Sequence, residues 1–439
     1  MFKPGEVEAF EFRNWHYFPE SGCLQLGYAL RPGPVFTETI VFPKPSAWPA
    51  NPARRRALAA AFGLLHAIAG VSYYKCACPP LVTTSGCVID ADLARFLRRV
   101  YRNGLAEFAC RNALQLPEME FEQLGGPSCA AIPPLKLQRR SLVPLGGGKD
   151  SLVSVELLRE MKQALCTAVV GNSPVILGTA QRAGLELVQI RRKLDRGLFV
   201  LNETGAYNGH VPITAIVSAI MLAAAVLYDF DSVVMSNEAS ADEPNLYRDG
   251  QPVNHQWSKG SEFEREFSAL VTARIGAGIH YFSLLRPLSE MAIIRRFAKH
   301  TQYHAHFSSC NRNFHIHADA PISRWCGDCP KCRFVFLGLA TVLKPADLVQ
   351  IFHRNLLDES AQIPGFKALT GLLGHKPFEC VGTCDESIAA FAELRQLPAW
   401  RDCAVVRAIG DLLGRPSSQT QQQAVYDGTC IPKRFRYAL

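Results

Sequence analysis

The chain has 439 residues, of which 48% are hydrophobic and 20% are charged, and it contains no low-complexity tract or long-period repeat. This composition excludes disordered and collagen-like proteins and is typical of a globular protein with two or three domains. The formal charge of +8 comes from scattered basic residues and not from one basic block, so we expect a polyanionic small substrate and no nucleic-acid partner.

Three features of the sequence favour a cytoplasmic protein. The first six residues, Met-Phe-Lys-Pro-Gly-Glu, lack the apolar core of a signal peptide. The most apolar run, residues 211–227, is 17 residues long and contains Thr214 and Ser218, so it predicts a buried helix and no membrane span. Fifteen cysteines in a chain that is not exported indicate reduced thiols, some of them metal ligands, and not a disulfide framework.

Residues 1–135 are predicted to form an α+β N-terminal domain. Strand-like alternation of hydrophobic and polar residues occurs at residues 7–12, 23–28 and 36–42, with turns rich in proline and glycine between them. Helical periodicity follows at residues 54–70 and 90–114. No combination of residues in this domain indicates chemistry, and residues 125–134 are typical of a linker into the next domain.

Residues 136–345 are predicted to form an α/β domain with a parallel sheet. Predicted strands at residues 142–145, 164–170, 185–190, 232–236 and 279–285 alternate with predicted helices. In such sheets, ligands bind at the carboxyl ends of the strands. Two long polar loops, residues 203–212 and 237–261, follow elements of this domain, so we expect them to carry function.

The first strand of this domain runs into a glycine-rich turn that opens a helix, Gly146-Gly147-Gly148-Lys149-Asp150-Ser151. Successive glycines let several backbone N–H groups turn toward one anion, and the positive end of the helix adds to that attraction. A Walker A loop is excluded because Asp150 follows the lysine, and the dinucleotide fingerprint is excluded because its third glycine is missing. The turn therefore predicts a phosphate-binding site of another kind.

The turn resembles the PP-loop of the ATP pyrophosphatase superfamily, Ser-Gly-Gly-x-Asp-Ser, although Gly146 stands where that family usually has serine. The resemblance implies an adenine nucleotide alpha hydrolase-like core that splits ATP between its α and β phosphates and transfers AMP to a substrate oxygen. We assign ATP binding to the turn and to residues at the ends of the neighbouring strands: Gly146, Gly147, Gly148, Lys149, Asp150, Ser151, Gly171, Asn172, Asn237 and Glu238.

The loop of residues 237–261 combines acidic, amide, imidazole and ammonium side chains. Acids near a triphosphate commonly hold Mg²⁺, so we expect this ion beside Glu238. A lysine neutralises charge when the α phosphate is attacked, and Lys259 is our candidate for that role.

A cysteine cluster follows the predicted sheet. Cys326, Cys329 and Cys332 are spaced by two residues, and Cys310 supplies a fourth thiol upstream. Four thiolates at such spacing predict a tetrahedral zinc site with a structural role, which is similar to the cluster of PP-loop enzymes that build a nitrile on deazaguanine. Rival fourth ligands are His304, His306, His315 and His317, and an iron–sulfur cluster is the rival metal centre. We expect the cluster to lie at a distance from the phosphate site.

Residues 346–439 are predicted to be a helical C-terminal region, with helices at residues 346–357, 366–374, 387–397 and 402–413. Between the second and third helices, residues 375–387 form a polar segment that contains Cys380 and Cys384. This region is expected to complete the substrate pocket.

Five motifs together resemble the UDP-N-acetylmuramoyl-L-alanyl-L-glutamate epimerase family over nearly the whole chain. They are Gly-Gly-Gly-Lys-Asp-Ser, Ser-Asn-Glu-Ala-Ser-Ala, Val-Asn-His-Gln-Trp-Ser-Lys, Cys-Gly-Asp-Cys-x-x-Cys and Lys-Pro-Phe-Glu-Cys-Val-Gly. The resemblance implies an isomerase of peptidoglycan precursor synthesis that uses ATP and Mg²⁺ to convert the terminal L-Glu of UDP-MurNAc-L-Ala-L-Glu to D-Glu.

The chemistry of this reaction is consistent with a PP-loop. An amide nitrogen cannot form an imine with a pyridoxal cofactor, and a neighbouring carboxylate opposes a second negative charge at Cα. Adenylation removes the carboxylate charge, after which a base takes the Cα proton, an acid returns one on the opposite face, and water releases AMP. The candidates for these proton transfers are Cys380, Cys384, His255 and Glu379.

Two other functions are compatible with the sequence. Another carboxylate-adenylating PP-loop enzyme, such as an amide or nitrile synthase, would consume ammonia or an amine. A tRNA-modifying PP-loop protein would bind RNA in a salt-dependent manner, but no basic stripe with interleaved aromatic residues supports it.

Overall fold

The computed structural model describes residues 1–45, 47–122, 124–125, 133–314, 324–413 and 430–438. The strands are β1 Ala9–Phe18, β2 Cys23–Arg31, β3 Val35–Val41, β4 Leu81–Thr84, β5 Glu120–Phe121, β6 Ser141–Pro144, β7 Leu165–Val170, β8 Leu187–Lys193, β9 Ser232–Met235, β10 Leu246–Arg248, β11 Gln251–Val253 and β12 His280–Ser283. The helices are α1 Pro52–Ala69, α2 Val71–Tyr74, α3 Ala91–Gly104, α4 Ala106–Arg111, α5 Lys149–Glu160, α6 Pro174–Ala183, α7 Arg196–Thr204, α8 Ile213–Tyr228, α9 Ser261–Arg274, α10 Glu290–Phe297, α11 Pro330–Ala340, α12 Pro345–Phe352, α13 Ile363–Leu369, α14 Cys384–Leu394 and α15 Ala404–Leu413.

The strands form one large, mostly parallel sheet in a mixed α/β fold. Its order is β12-β9-β6-β7-β8-β3-β2-β1-β4-β5, and β10 and β11 form a separate hairpin. The five strands from β12 to β8 are parallel, as the alternation of strands and helices predicted. Antiparallel pairing of β8 with β3 then extends this sheet into β2 and β1.

The parallel part of the sheet reverses its strand order beside β6. The chain passes from β6 through β7 to β8 on one side and then crosses to β9 and β12 on the other. In open parallel sheets, such a reversal leaves a crevice outside the carboxyl ends of the two strands that separate there. The turn after β6 and the loop after β9 both enter this crevice, so the topology itself selects the place of the site.

Both faces of the central strand β6 are buried. Leu142 of β6 belongs to an apolar core that α1, α8 and α9 cover, whereas Val143 belongs to a second core that includes α5, α10 and α11. Burial on both faces explains why the strand is a continuous apolar run and does not alternate. The helix predicted from residues 211–227 is confirmed as α8, which is mostly buried and packs against α1.

One helical stretch in the described residues, Pro52–Tyr74, is long and apolar enough to cross a membrane by length and composition alone. In the structure, 83% of its most apolar window is buried against the rest of the chain. Buried core helices pass the same test, so this stretch is weak evidence for a membrane span.

The long helix predicted at residues 90–114 is divided into α3 and α4. The division follows Gly104, where a Cβ atom would lie 2.6 Å from Cγ of Pro212. The close approach of Pro212 therefore requires glycine at this position.

The predicted helical C-terminal region is present as α12 to α15, and Thr383 and Glu386 form a capping box at the start of α14. The strands of the predicted N-terminal domain continue the sheet of the second domain through β3 and β8. The domain boundaries at residues 135 and 345 stay predictions.

Candidate active site

A cavity of about 350 Å³ lies at the crevice between β6 and β9. The ends of β6, β7 and β9 line it together with the first residues of α5, α8, α10 and α11. Its polar and charged lining residues are Lys149, Asp150, Ser151, Thr214, Ser236, Asn237, Glu238, Lys259, Glu290, Ser309, Lys331 and Cys380.

The glycine turn enters the cavity ahead of α5. Gly147 has a φ of +81°, which favours glycine, and its carbonyl oxygen accepts a hydrogen bond of 2.9 Å from the N–H of Ser308. No side chain caps α5, so its first N–H groups have no partner within the helix or from a cap. Open space surrounds the position of a Cβ atom on Gly146, which lines the cavity. The turn thus offers backbone donors and room for an anion.

Three carboxylates and a lysine form a cluster beside the turn, in which Asp150 is partly exposed and the other residues are buried. The Lys149 ammonium group lies 2.5 Å from Asp150 Oδ1 and 2.5 Å from Glu290 Oε2. One oxygen each of Asp150, Glu238 and Glu290 lies within 4.8 Å of the others, so these residues could hold a metal ion. Burial raises the pKa of Glu290 well above its usual value, although Lys149 opposes the rise. Burial also raises the pKa of Glu238, against the charge of Lys259.

Glu290 is a site residue that our sequence analysis did not include. It is the first residue of α10, which follows β12, a strand we predicted. An acid at the start of a helix just after a parallel strand was the available signal, because such helix starts lie at the ligand-binding edge of the sheet.

The buried Arg286 fixes the backbone of the long loop after β9. Its guanidinium group pairs with Glu264 at 2.8 Å and donates to the carbonyl oxygen of Glu238 at 2.6 Å and to that of Lys259. The side chain is fully buried. The guanidinium group of Arg286 therefore holds the backbone at both Glu238 and Lys259, which are predicted site residues.

Cys380 lies in the same cavity and hydrogen bonds to His255 and Lys259. Burial alone would raise the pKa of the Cys380 thiol, but the charges of Lys259 and Lys331 and the hydrogen bond from His255 bring it well below its usual value. Burial lowers the pKa of His255, but its hydrogen bonds to Cys380 and Glu107 raise it to about 9. The arrangement is that of a thiolate paired with an imidazolium.

The N-terminal part of the chain reaches this pair through Glu107 of α4. Its Oε2 atom accepts a hydrogen bond from His255 Nδ1 and lies 3.6 Å from Nδ1 of His210. Our sequence analysis found no chemistry in this part of the chain, and no spacing rule links residues 148 positions apart.

The loop that carries Cys380 is tied to the loop after β9. The side chain of Asn245 accepts from the backbone N–H of His255 at 2.8 Å and donates to the carbonyl oxygen of Pro377 at 2.6 Å. Lys376 pairs with Glu243 at 2.9 Å. The C-terminal region therefore packs against the loop after β9 and contributes Cys380 to the cavity.

The remaining predicted residues lie at different distances from the cavity. Glu379 precedes Cys380, hydrogen bonds to Asn311 and has a pKa raised by burial. Cys384 begins α14, its Sγ atom faces Gly371, and it is not among the described residues that line the cavity. Asn237 lines the cavity, whereas Gly171 and Asn172 stand just beyond Val170, the lining residue at the end of β7.

The four predicted cysteines come together. The Sγ atoms of Cys310, Cys326, Cys329 and Cys332 lie within 4.8 Å of one another and could hold a metal ion. Backbone N–H groups of Asp328 and Cys332 point to Sγ of Cys326 and Cys329 at 3.4 Å. His304 and His306 do not belong to this group in the described part of the chain, and His315 and His317 lie outside the described residues.

The expectation that this cluster lies far from the phosphate site is wrong. Ser308, two residues before Cys310, hydrogen bonds to Gly147 of the turn. Cys329 caps α11 by accepting from the N–H of Cys332, and Lys331 between them lines the cavity. The cysteine cluster thus positions one wall of the site.

The chain is similar to known proteins over most of its length. The family model described as the MurL N-terminal domain matches residues 1–284, and that of the MurL C-terminal domain matches residues 306–424. A protein of Xanthomonas oryzae pv. oryzae named UDP-N-acetyl-alpha-D-muramoyl-L-alanyl-L-glutamate epimerase is 45% identical over 92% of this chain and 90% of its own length. Proteins of the same name from a Micromonospora species and from Salinispora tropica are 43% and 41% identical, over 92% and 94% of this chain and 91% of their own lengths.

Proposed function

The chain belongs to the family of UDP-N-acetyl-α-D-muramoyl-L-alanyl-L-glutamate epimerases, and from this premise we propose the reaction and its mechanism. It is an enzyme, an isomerase of the epimerase type. We propose that it converts the terminal L-Glu of UDP-MurNAc-L-Ala-L-Glu to D-Glu, uses ATP to form an acyl-adenylate, and releases AMP and pyrophosphate.

One observation carries the proposal. A single cavity is lined by a glycine turn with a carboxylate cluster and by a thiol that hydrogen bonds to an imidazole and an ammonium group. The first set of groups suits the activation of a carboxylate by ATP, and the second suits the transfer of a proton. Their presence in one cavity fits a reaction that needs both steps on one substrate.

In the adenylation step, the glycine turn and the start of α5 would bind the phosphates of ATP as a PP-loop. Asp150, Glu238 and Glu290 fit a divalent cation, because their oxygens converge and because burial without a cation opposes the ionisation of Glu238 and Glu290. Mg²⁺ held there would supply charge neutralisation at the phosphates. Lys259 would stabilise the negative charge that develops as the substrate carboxylate attacks the α phosphate.

In the epimerisation step, the adenylated carboxyl group no longer opposes a carbanion at Cα. Among the residues that the structure describes, Cys380 is the cysteine that lines the cavity. Its environment favours the thiolate, so we assign to Cys380 one of the two proton transfers. Reprotonation on the opposite face inverts the centre, and water then releases AMP. A catalytic role for Cys384 or Glu379 stays a prediction.

We further propose that the cysteine cluster holds one structural zinc ion. Four converging thiols, of which Cys326 and Cys329 accept backbone N–H groups, fit tetrahedral Zn²⁺. The ion would fix the start of α11, and with it Lys331, in the wall of the cavity.

Incubation in heavy water with ATP, Mg²⁺ and UDP-MurNAc-L-Ala-L-Glu tests the proposed reaction. We expect the D-Glu epimer with deuterium at Cα, together with AMP and pyrophosphate, because a deprotonated intermediate is reprotonated by groups that exchange with solvent. Mass spectrometry and chiral analysis of the released glutamate would measure both outcomes. Free L-Glu should be a poor substrate, since the nucleotide and sugar no longer position the reacting carbon.

Two results would contradict this proposal. Label incorporation without ATP, or the formation of ADP and phosphate, would exclude adenylation. Consumption of ATP and ammonia without a change at Cα would instead assign the chain to amide synthesis.

A further inference from the structure

We propose that Glu107 is a positioning residue that holds His255 against Cys380, so that helix α4 of the N-terminal part completes the proton-transfer site. This inference rests on the proposed function, in which Cys380 transfers a proton. It assigns a role to a part of the chain whose sequence shows no sign of chemistry.

The hydrogen bonds of Glu107 leave His255 little freedom. Glu107 is 4% exposed, and its Oε2 atom accepts from His255 Nδ1. Its Oε1 atom accepts from Arg111 Nε at 2.6 Å, which orients the carboxylate. Since His255 also hydrogen bonds to Cys380, the imidazole ring is held on two sides. An imidazole fixed between a carboxylate and a thiol keeps one orientation and one hydrogen-bond pattern.

The charges alternate along the series of hydrogen-bonded groups Glu107, His255 and Cys380. Burial raises the pKa of Glu107, but His255 and Arg111 bring it below its usual value, so the carboxylate is ionised. The pKa of the neighbouring His210 is lowered to about 4 by burial and by the charge of His255, which leaves His210 neutral. One imidazolium, His255, therefore lies between the anions of Glu107 and Cys380 and stabilises the thiolate.

The same helix makes a second contact with the loop of Cys380. The guanidinium group of Arg111 lies over the ring of Phe378 at 5.0 Å from its centroid. Helix α4 therefore contacts His255 by a hydrogen bond and the loop that carries Cys380 by a cation–π contact with Phe378.

A metal ion is the alternative occupant of this cluster, because Glu107, His210 and His255 offer ligand atoms within 4.8 Å of one another. Two observations favour the hydrogen bonds among Glu107, His255 and Cys380 over a bound metal ion. Both oxygens of Glu107 already accept hydrogen bonds, and the adjacent Arg111 guanidinium repels a cation.

The pH dependence of Cys380 alkylation tests the inference without ATP or substrate. Iodoacetamide reacts with the thiolate, and mass spectrometry of the peptide that contains Cys380 measures its rate. Glu107→Gln keeps the shape of the side chain and removes its charge, so the midpoint of the profile should rise by ~1 pKa unit, and the rate at a pH below both midpoints should fall about tenfold. The other titratable or charged groups that face the pair are His210, Arg111, Lys259, Lys331 and Glu379.

Glu11→Gln is the matched control. Glu11 is another buried glutamate of the N-terminal part that is paired with an arginine, Arg31, but it lies on β1. Its removal should leave the alkylation profile of Cys380 unchanged. A profile of Glu107→Gln that matches the wild type, or equal shifts in both variants, would overturn the inference.

Turnover gives an independent readout. Glu107→Gln should lower kcat for exchange at Cα more than it raises KM for ATP, because the nucleotide contacts are intact. If the wild type fails to epimerise while Glu107→Gln still shifts the alkylation profile, the proposed function fails and the positioning role stands.

Two further measurements test the inference if the Glu107→Gln variant does not fold. In the wild type, ¹⁵N NMR of labelled histidine should show His255 doubly protonated at neutral pH, with the signal assigned through its loss in His255→Asn; a neutral ring would overturn the inference. A second metal ion per chain, besides that of the cysteine cluster and lost in His210→Asn, would overturn it as well.

Discussion

Glu238 is one of the acidic residues that line the cavity. Its carboxylate is buried, and the pKa of the group is raised by burial and by the nearby charge of Asp150, although Lys259 and Lys149 oppose the rise. The carboxylate of Asp150 lies close to that of Glu238 and repels it in the chain without a bound cation. A site of this kind trades stability of the ligand-free chain for affinity toward a cation.

Glu238→Gln should therefore stabilise the chain while it disables the enzyme. A carboxyl group with a raised pKa binds its proton more tightly in the folded chain than in the unfolded one, so the stability it contributes at acid pH is lost as the pH rises toward the folded-state pKa. Without added Mg²⁺, we expect the variant to melt roughly 2 °C higher at pH 7 and to lose this advantage near the ordinary glutamate pKa of ~4.3. AMP formation should fall by at least ~100-fold. Calorimetry at several pH values measures the first effect, and a lower melting temperature at pH 7 would contradict it.

Asp150→Ala and Ser151→Ala should abolish ATP use and leave the fold intact. Both side chains line the cavity at the start of α5, and neither belongs to the two apolar cores. Circular dichroism should be unchanged, while AMP release falls to background. Normal AMP formation by either variant would exclude the PP-loop assignment.

Residues were predictable where neighbours in sequence share one structure. The turn at residues 146–151 and the cysteine spacing are local, so residue type and order were sufficient to place them. Glu107, Glu290 and Lys331 enter the site only through tertiary packing; Glu290 meets Lys149 across 141 positions. Nothing in the local periodicity of a helix distinguishes such a residue from an ordinary surface acid or base.

In the glycine turn before α5, Gly146 and Gly148 differ in the space around them. A Cβ atom on Gly146 meets nothing within 4 Å, whereas one on Gly148 would lie 2.8 Å from Oγ of Ser309. Gly146 faces open cavity, and Gly148 is enclosed by the chain that leads to Cys310.

Gly146→Ser and Gly148→Val should therefore have opposite effects. The serine would restore the hydroxyl group that PP-loops usually carry, and it should lower KM for ATP by up to roughly tenfold, the size of a hydrogen bond to a charged group. The valine would collide with Ser309 and block the approach of an anion, so ATP use should be lost. Steady-state kinetics compares them, and equal loss in both variants would show that the turn does not bind phosphate as proposed.

Helix α11 connects the cysteine cluster to catalysis. Because Cys329 caps the helix and Lys331 lies in its first turn, Cys329→Ser should lower the melting temperature by roughly 5–10 °C and also reduce kcat. Elemental analysis of protein purified without air should give one zinc ion per wild-type chain and none in the variant. Iron with inorganic sulfide in the wild type would contradict the zinc assignment.

Cys403→Ser is the control for this prediction. Cys403 is a half-buried thiol outside the cluster that accepts from Asn355 at 3.8 Å. Its replacement should preserve the zinc content and the kinetics, which separates the effect of the cluster from the loss of any one thiol.

At the scale of the molecule, one sheet joins the strands of the predicted N-terminal domain to those of the predicted α/β domain. Alternating strands and helices predicted the parallel strands β6 to β9 and β12, and alternation of hydrophobic residues predicted β1 to β3. The antiparallel pairing of β3 with β8, which merges both groups, was not predictable, because it depends on contacts between Thr39 and Lys193 and their neighbours far apart in the chain. The apolar core that α1 and α8 share was not predictable from the sequence for the same reason.

A chain that begins at residue 136 should therefore be insoluble. Without the N-terminal part, α8 loses the cover of α1, and β8 becomes an open edge of the sheet. Expression with residues 1–135 as a separate chain should restore solubility. A soluble fragment that unfolds cooperatively would instead establish residues 136–439 as an independent domain.

The buried Arg286 has a thermodynamic consequence for the loop above it. It binds the carbonyl oxygens of Glu238 and Lys259, so one side chain closes both ends of residues 238–259. The conformational entropy of this long segment is therefore lost when the chain folds and not when the substrate arrives. The groups that the segment carries meet each incoming substrate already in place, and the temperature dependence of binding should contain no contribution from ordering the loop.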